Sequence, residues 1–181
     1  NRGKNKPAGP AVAAPAPAKR PPLASQIVRK VLAPEPEILW VPFALRAAKR
    51  IVKRHKIDAV IITAPPFSAF VVGNKLNRAF PNVKIIADFR DEWLEFYLNN
   101  NAFQNNPYAR KRAVEIERET IARADAVISV TDMSLATIRG RYPEQPDTKF
   151  HRIAKGYDPA AFAGFKAREN DSRKLVVTHM G

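Results

Sequence analysis

Four short runs of β-branched and small apolar residues decide most of what this chain can fold into: 58–63 (Asp-Ala-Val-Ile-Ile-Thr), 84–88 (Lys-Ile-Ile-Ala-Asp), 126–130 (Ala-Val-Ile-Ser-Val) and 150–153 (Phe-His-Arg-Ile). Each has the length and composition of a buried strand. The spacers between them are too long for hairpins and carry helical patterns instead. Ser68 stands where it can cap a helix running to about Arg78, with Gly73 marking close packing on a sheet. A second helix is predicted from about Tyr108 to Ala124, supported by Lys111/Glu115 and Glu119/Arg123 pairs. Thr131 or Asp132 caps a third, through about Arg139. Strands alternating with helices require parallel pairing and right-handed crossovers, so the fold class is α/β with a parallel sheet flanked by helices.

In such a fold the chemistry gathers where the strands end. The run at 84–88 breaks abruptly into Phe89-Arg90-Asp91-Glu92-Trp93, and the run at 58–63 into Ala64-Pro65-Pro66-Phe67-Ser68. Parallel strands share one carboxyl edge, so Pro66, Phe67, Ser68, Arg90, Asp91 and Thr131 are expected to line one crevice there. Arg90 and Asp91 have a plainer reading as an ion pair tying the strand end to a helix. The chemical reading makes Asp91 a carboxylate that accepts a proton from a substrate hydroxyl. Pro65-Pro66 is a stiff loop that could hold Phe67 and Ser68 in place.

Ahead of the first strand, Phe43, Leu45, Ala48, Ile51 and Val52 form an apolar helical face, with Pro42 at the helix entry and Trp40 packing beneath. The residues before that, 1–36, hold half of the sixteen prolines and read as a flexible basic arm. Seven of the basic residues lie before Glu35, the first acid; removing them from the formal charge of +14 leaves +7. That balance suits a surface meeting anionic ligands or acidic lipid headgroups. The arm has no signal-peptide pattern and the chain does not begin with methionine, so a further upstream piece is expected. The polar stretches 99–101 and 104–107, with Phe96, Tyr97 and Phe103 beside them, mark a long loop that could act as a mobile lid.

The ordered set Ile62-Thr63-Ala64-Pro65-Pro66-Phe67-Ser68, then Ala87-Asp88-Phe89-Arg90-Asp91-Glu92-Trp93, then Lys155-Gly156-Tyr157-Asp158 resembles the amino-terminal half of a bacterial family-4 glycosyltransferase of the GT-B fold. The likeness covers roughly residues 37–181. It implies a Rossmann-like domain over 37–165, then a linker and the first strand of a second domain over 166–181. It implies transfer of a sugar from a nucleotide-sugar donor, as co-substrate with no other cofactor, to a glycan or lipid-linked acceptor in cell-surface polysaccharide biosynthesis. It places Gly156 and Asp158 at the hinge, Gly181 near the donor diphosphate, and the setting in the cytoplasm or at the membrane periphery. In the family the turn is N-G-x-D; here lysine stands where asparagine is usual. The family's paired glutamates, separated by seven residues, belong to the second domain and have no counterpart here, so this chain alone is expected to be inactive.

Several rival chemistries are excluded. There is no cysteine, no Gly-rich phosphate loop and no Gly-x-Ser-x-Gly elbow, and His55, His151 and His179 lack metal-site spacing, so no metal is expected. The uncharged stretch from Ala59 to Gly73 is too short to span a bilayer. The alternative function is a non-enzymatic basic α/β module for nucleic acid or another anionic partner, for which no recognition motif is present.

Overall fold

A computed structural model describes residues 22–97 and 106–164. The chain forms α1 (Leu23–Val31), a 3-10 turn (Pro36–Trp40), α2 (Val41–His55), β1 (Ala59–Ala64), α3 (Ala69–Ala79) and β2 (Lys84–Phe89). A π-helical turn (Trp93–Tyr97) follows, then α4 (Pro107–Arg123), β3 (Ala126–Ser129), α5 (Asp132–Arg141), a 3-10 turn (Asp147–Lys149), β4 (Phe150–Arg152) and a last 3-10 turn (Pro159–Phe162). The strands lie in the order β1-β2-β3-β4, all parallel, as the spacers require. Ala64, Phe89, Ser129 and Arg152 stand level across the sheet, so the four strands finish on one edge. The fold is therefore α/β, a Rossmann-like parallel sheet flanked by helices.

The main core gathers residues from α2, α3, α4 and α5 with Ala64, Ala87, Phe89 and Val127, which share one face of the strands. Aromatic packing dominates beneath the carboxyl edge. Phe67 stacks on Trp93 with centroids 4.4 Å apart and planes 3° off parallel, and Phe70 meets Phe89 at 4.5 Å. Gly73 allows the close approach of α3 to the sheet, since a Cβ there would lie 2.1 Å from Ile62 Cδ1 and would displace that methyl. Ile61 and Ile128, on the opposite face, join neither of the two core clusters of the described residues.

Several sequence expectations are corrected. Leu23–Val31 is a helix, not part of an extended arm, because the run from Leu23 to Ala33 contains no proline and Pro22 sits just outside its first turn. Phe43 and Ile51 do not belong to the buried stripe of α2; both are exposed, and Val41 and Val52 are the buried positions. Glu115 pairs with Arg112 and not with Lys111, whereas the Glu119–Arg123 pair forms at 2.7 Å. Residues 1–21, the loop stretch 98–105 with Phe103, and 165–181, including Gly181 and the expected strand at 174–180, lie outside the described residues. No helix of the described residues is long and apolar enough to cross a membrane.

Candidate functional site

The carboxyl edge is built by backbone pairing. Arg90 N–H donates to Ala64 O at 3.1 Å, which continues the ladder one residue past β2 and projects the next side chains beyond the sheet. Arg90 is exposed and Asp91 half-buried. Among the described residues neither side chain has a hydrogen bond or ion pair, so the plain structural pairing is not what this structure contains. Arg90 instead borders a hollow of about 330 Å³ with Thr63, Asp88, Val130 and Lys155. Thr63 Oγ1 donates to Asp88 Oδ2 at 3.0 Å, so one carboxylate and two cations face a cleft with apolar walls. Polar groups convergent in an apolar hollow are the usual make-up of a small-molecule site. Asp88 and Lys155 were not among the predicted site residues; strand alternation could have found Asp88, since it shares a face with Arg90.

Phe67 and Ser68 do not line this crevice. Both are fully buried, Phe67 in the aromatic stack and Ser68 beneath Trp40. Ser68 does not cap α3 with its side chain; its Oγ accepts from Trp40 Nε1 at 3.0 Å. Ser68 N–H donates to Glu35 Oε1 at 2.5 Å, so a buried carboxylate from the stretch read as arm closes the start of α3. Desolvation raises the Glu35 pKa against the lowering effect of that bond. Pro66 is exposed between two buried neighbours, Ala64 and Phe67, with Pro65 exposed beside it. Thr131 caps α5, its Oγ1 accepting from Ser134 N at 3.1 Å.

In the turn that follows β4, Asp158 Oδ1 accepts from Ala160 N at 2.9 Å. Gly156 makes no use of glycine's conformational freedom. No described glycine has positive φ, and open space surrounds the position of its absent side chain.

Behind the edge lies a cluster that the sequence did not reveal. Arg141 on α5 donates from Nε to Glu117 Oε1 at 3.0 Å and reaches Glu92 through Nη2. Tyr142 Oη also donates to Glu117 Oε1, at 3.0 Å. Glu92 Oε2 accepts from Glu95 N at 2.6 Å, closing the turn that follows Asp91. Glu117 is fully buried, its Oε2 has no hydrogen-bond partner among the described residues, and desolvation pushes its pKa up to about 7 despite Arg141 and Tyr142. Arg141, itself held by Glu117, thus ties the loop that carries Arg90 and Asp91 to the helix layer. No group of three His, Cys, Asp or Glu able to hold a metal occurs among the described residues.

Comparison with curated proteins returns no match. Comparison with protein families matches residues 9–161 to the family described as Glycosyltransferase Family 4, a span that contains every described strand, the crevice and the turn at Gly156–Asp158. The chain therefore belongs to glycosyltransferase family 4.

Proposed function

We propose that this chain forms the acceptor side of a bacterial GT-B enzyme that moves a sugar from a nucleotide-sugar to a glycan or lipid-linked acceptor in polysaccharide biosynthesis. The observation that carries the reading is the level carboxyl edge of β1 to β4 in a chain of this family, which presents Arg90 and Asp91 beyond the sheet. In transfer, the acceptor oxygen forms a bond to the sugar's anomeric carbon as the bond to the nucleotide diphosphate breaks. Asp91 is placed to take the acceptor proton, and Arg90 to hold an anionic or hydroxyl-rich part of a substrate. Donor contacts reside in a second domain, with Gly156, Asp158 and Gly181 near the passage to it, so the chain by itself does not turn over. No cofactor or metal is required in this scheme.

The test uses the chain extended by its natural downstream sequence and follows nucleoside diphosphate release with candidate sugar nucleotides. Asp91→Asn and Arg90→Ala are each expected to lower turnover by roughly 30- to 1000-fold, the effect of losing one well-placed polar contact in a transition state. The melting temperature should be unchanged, and Lys75→Ala, on the exposed side of α3, should have normal turnover. Near-normal turnover of Asp91→Asn with a sharply lowered melting temperature refutes the assignment.

A further inference from the structure

From the way one guanidinium is shared among three carboxylates, we infer that Arg141 positions the loop that carries Arg90 and Asp91, and that the charge state of Glu117 decides whether it does so. Arg141 Nε and Nη2 both lie 3.0 Å from Glu117 Oε1, Nη2 also donates to Glu92 Oε1, and Nη1 stands 3.6 Å from Glu95 Oε1. Both nitrogens of the fork therefore meet a single oxygen of Glu117, where an arginine–carboxylate pair ordinarily gives one N–H to each oxygen. Two buried side-chain polar atoms among the described residues lack a hydrogen bond, and both belong to this pair: Glu117 Oε2 and Arg141 Nη1. A turn of the Glu117 carboxyl would bring Oε2 onto Nη2, the nitrogen that holds Glu92.

Charge selects between the two arrangements. Glu117 Oε1 accepts from Tyr142 and Arg141, so the proton of the neutral form belongs on Oε2. Arg141 then has Glu92 as its one buried anion, with the exposed Glu95 at the margin. Once Glu117 ionises, two carboxylates contend for Nη2 out of water, where like charges repel strongly. Glu117 is enclosed on α4, whereas Glu92 stands at the entry of the π-helical turn and can swing to solvent. The titratable and charged groups facing Glu117 are Arg141 of α5, Tyr142 just past it and Glu92 of the loop, while Arg118 on α4 acts on Tyr142. Burial raises the Glu117 pKa to about 7, so the exchange falls near neutrality.

The consequence falls on the residue next to Asp91. Glu92 Oε2 accepts from Glu95 N at 2.6 Å, so the carboxylate that Arg141 holds also closes the turn that follows. Below neutrality the loop is tied to α5; above it Glu92 is released and the placement of Arg90 and Asp91 loosens. The use of this device in transfer rests on the role of Asp91 proposed above, but its test needs no sugar.

Amide NMR spectra and relaxation of the 181-residue chain are recorded from about pH 5.5 to about 8.5. The Glu95 amide should shift with a midpoint near pH 7, and its order parameter should fall from the roughly 0.85 of rigid backbone toward about 0.6, while amides of α3 keep theirs. Glu117→Gln retains an acceptor at Oε1 and cannot ionise, so its Glu95 amide should keep the low-pH shift and order throughout. Glu92→Gln removes the contending charge, so no step should remain in it. Arg141→Lys retains the cation without the fork and should give the loosened turn across the whole range. A wild-type Glu95 amide indifferent to pH, a step of undiminished size in either glutamine variant, a turn still ordered in Arg141→Lys, or an equal loss of order in α3 overturns the inference. If Asp91→Asn in the extended enzyme turned over normally while the step persisted, the assignment of Asp91 would fall and the positioning of the loop by Arg141 would stand.

Discussion

Glu117→Gln should change the pH dependence of stability more than stability itself. In the folded chain Glu117 titrates near pH 7 against a usual value of 4.5, because burial penalises the carboxylate more than Arg141 and Tyr142 favour it. Between those two values the folded state binds a proton that the unfolded state has lost. The unfolding free energy therefore falls as pH rises through this window, by about 3 kcal/mol for a shift of this size, and is flat above it. Below pH 4.5 both states are protonated and the contribution against folding is absent.

Glutamine retains the Oε1 acceptor for Tyr142 and Arg141 and cannot ionise, and Glu92 remains as the charge partner of Arg141. The stability difference, variant minus wild type, should therefore rise by about 3 kcal/mol between pH 4.5 and 7, whatever its absolute value at either end. Urea unfolding at a series of pH values measures it, with Trp93 fluorescence as the probe, since that indole is buried against Phe67 in the folded state. Parallel curves for the two proteins would show that Glu117 is ionised throughout and that the cluster behaves as an ordinary ion pair.

Phe67→Ala and Trp93→Ala should each destabilise by about 3–5 kcal/mol, with a coupling of about 0.5–1.5 kcal/mol in a double-mutant cycle, read from denaturant midpoints. A Phe67→Ala chain of normal stability would return that residue to the crevice. Gly73→Ala should cost about 1 kcal/mol net of its gain in helix propensity, because the new methyl displaces Ile62 Cδ1; Ile62→Val removes that atom, so the double variant should be more stable than the two single effects predict.

The strands, the parallel pairing and the helices at 69–79, 107–123 and 132–141 were legible because period and spacing encode them locally. The position of Gly73 was legible for the same reason, since an interior glycine in a helix pattern has few uses except close approach. Burial at the carboxyl edge was not. Phe67 and Ser68 sit in a loop of turn-forming residues, and nothing local distinguishes a side chain turned into the core from one turned toward solvent. Their burial follows from the stack with Trp93 and from Glu35, residues separated from them by a long stretch of chain. The Glu92–Glu117–Arg141 cluster was hidden for a similar reason: on α4 the sequence shows three glutamates at alternate positions, and only tertiary packing selects the middle one for burial. Phe43 and Ile51 were misplaced because α2 offers more apolar residues than its sheet-facing side can use, and the surplus is left exposed.

That surplus and the site are mechanically joined. Trp40 belongs to the exposed apolar end of the domain, being 42% accessible, yet its indole N–H is committed to the wholly buried Ser68 hydroxyl. Ser68 lies at the end of the Pro65-Pro66-Phe67 loop, whose phenyl ring rests on Trp93, two residues beyond Asp91. Glu35, from the segment joining α1 to the 3-10 turn, holds the Ser68 amide from the other side. A short series of buried polar and aromatic contacts thus runs from the exposed apolar end of the domain to the loop that carries Arg90 and Asp91. Close-packed interiors transmit displacement and do not absorb it. A displacement of Trp40 or Glu35 is therefore carried through Ser68 and the Phe67–Trp93 stack to the loop that holds Arg90 and Asp91.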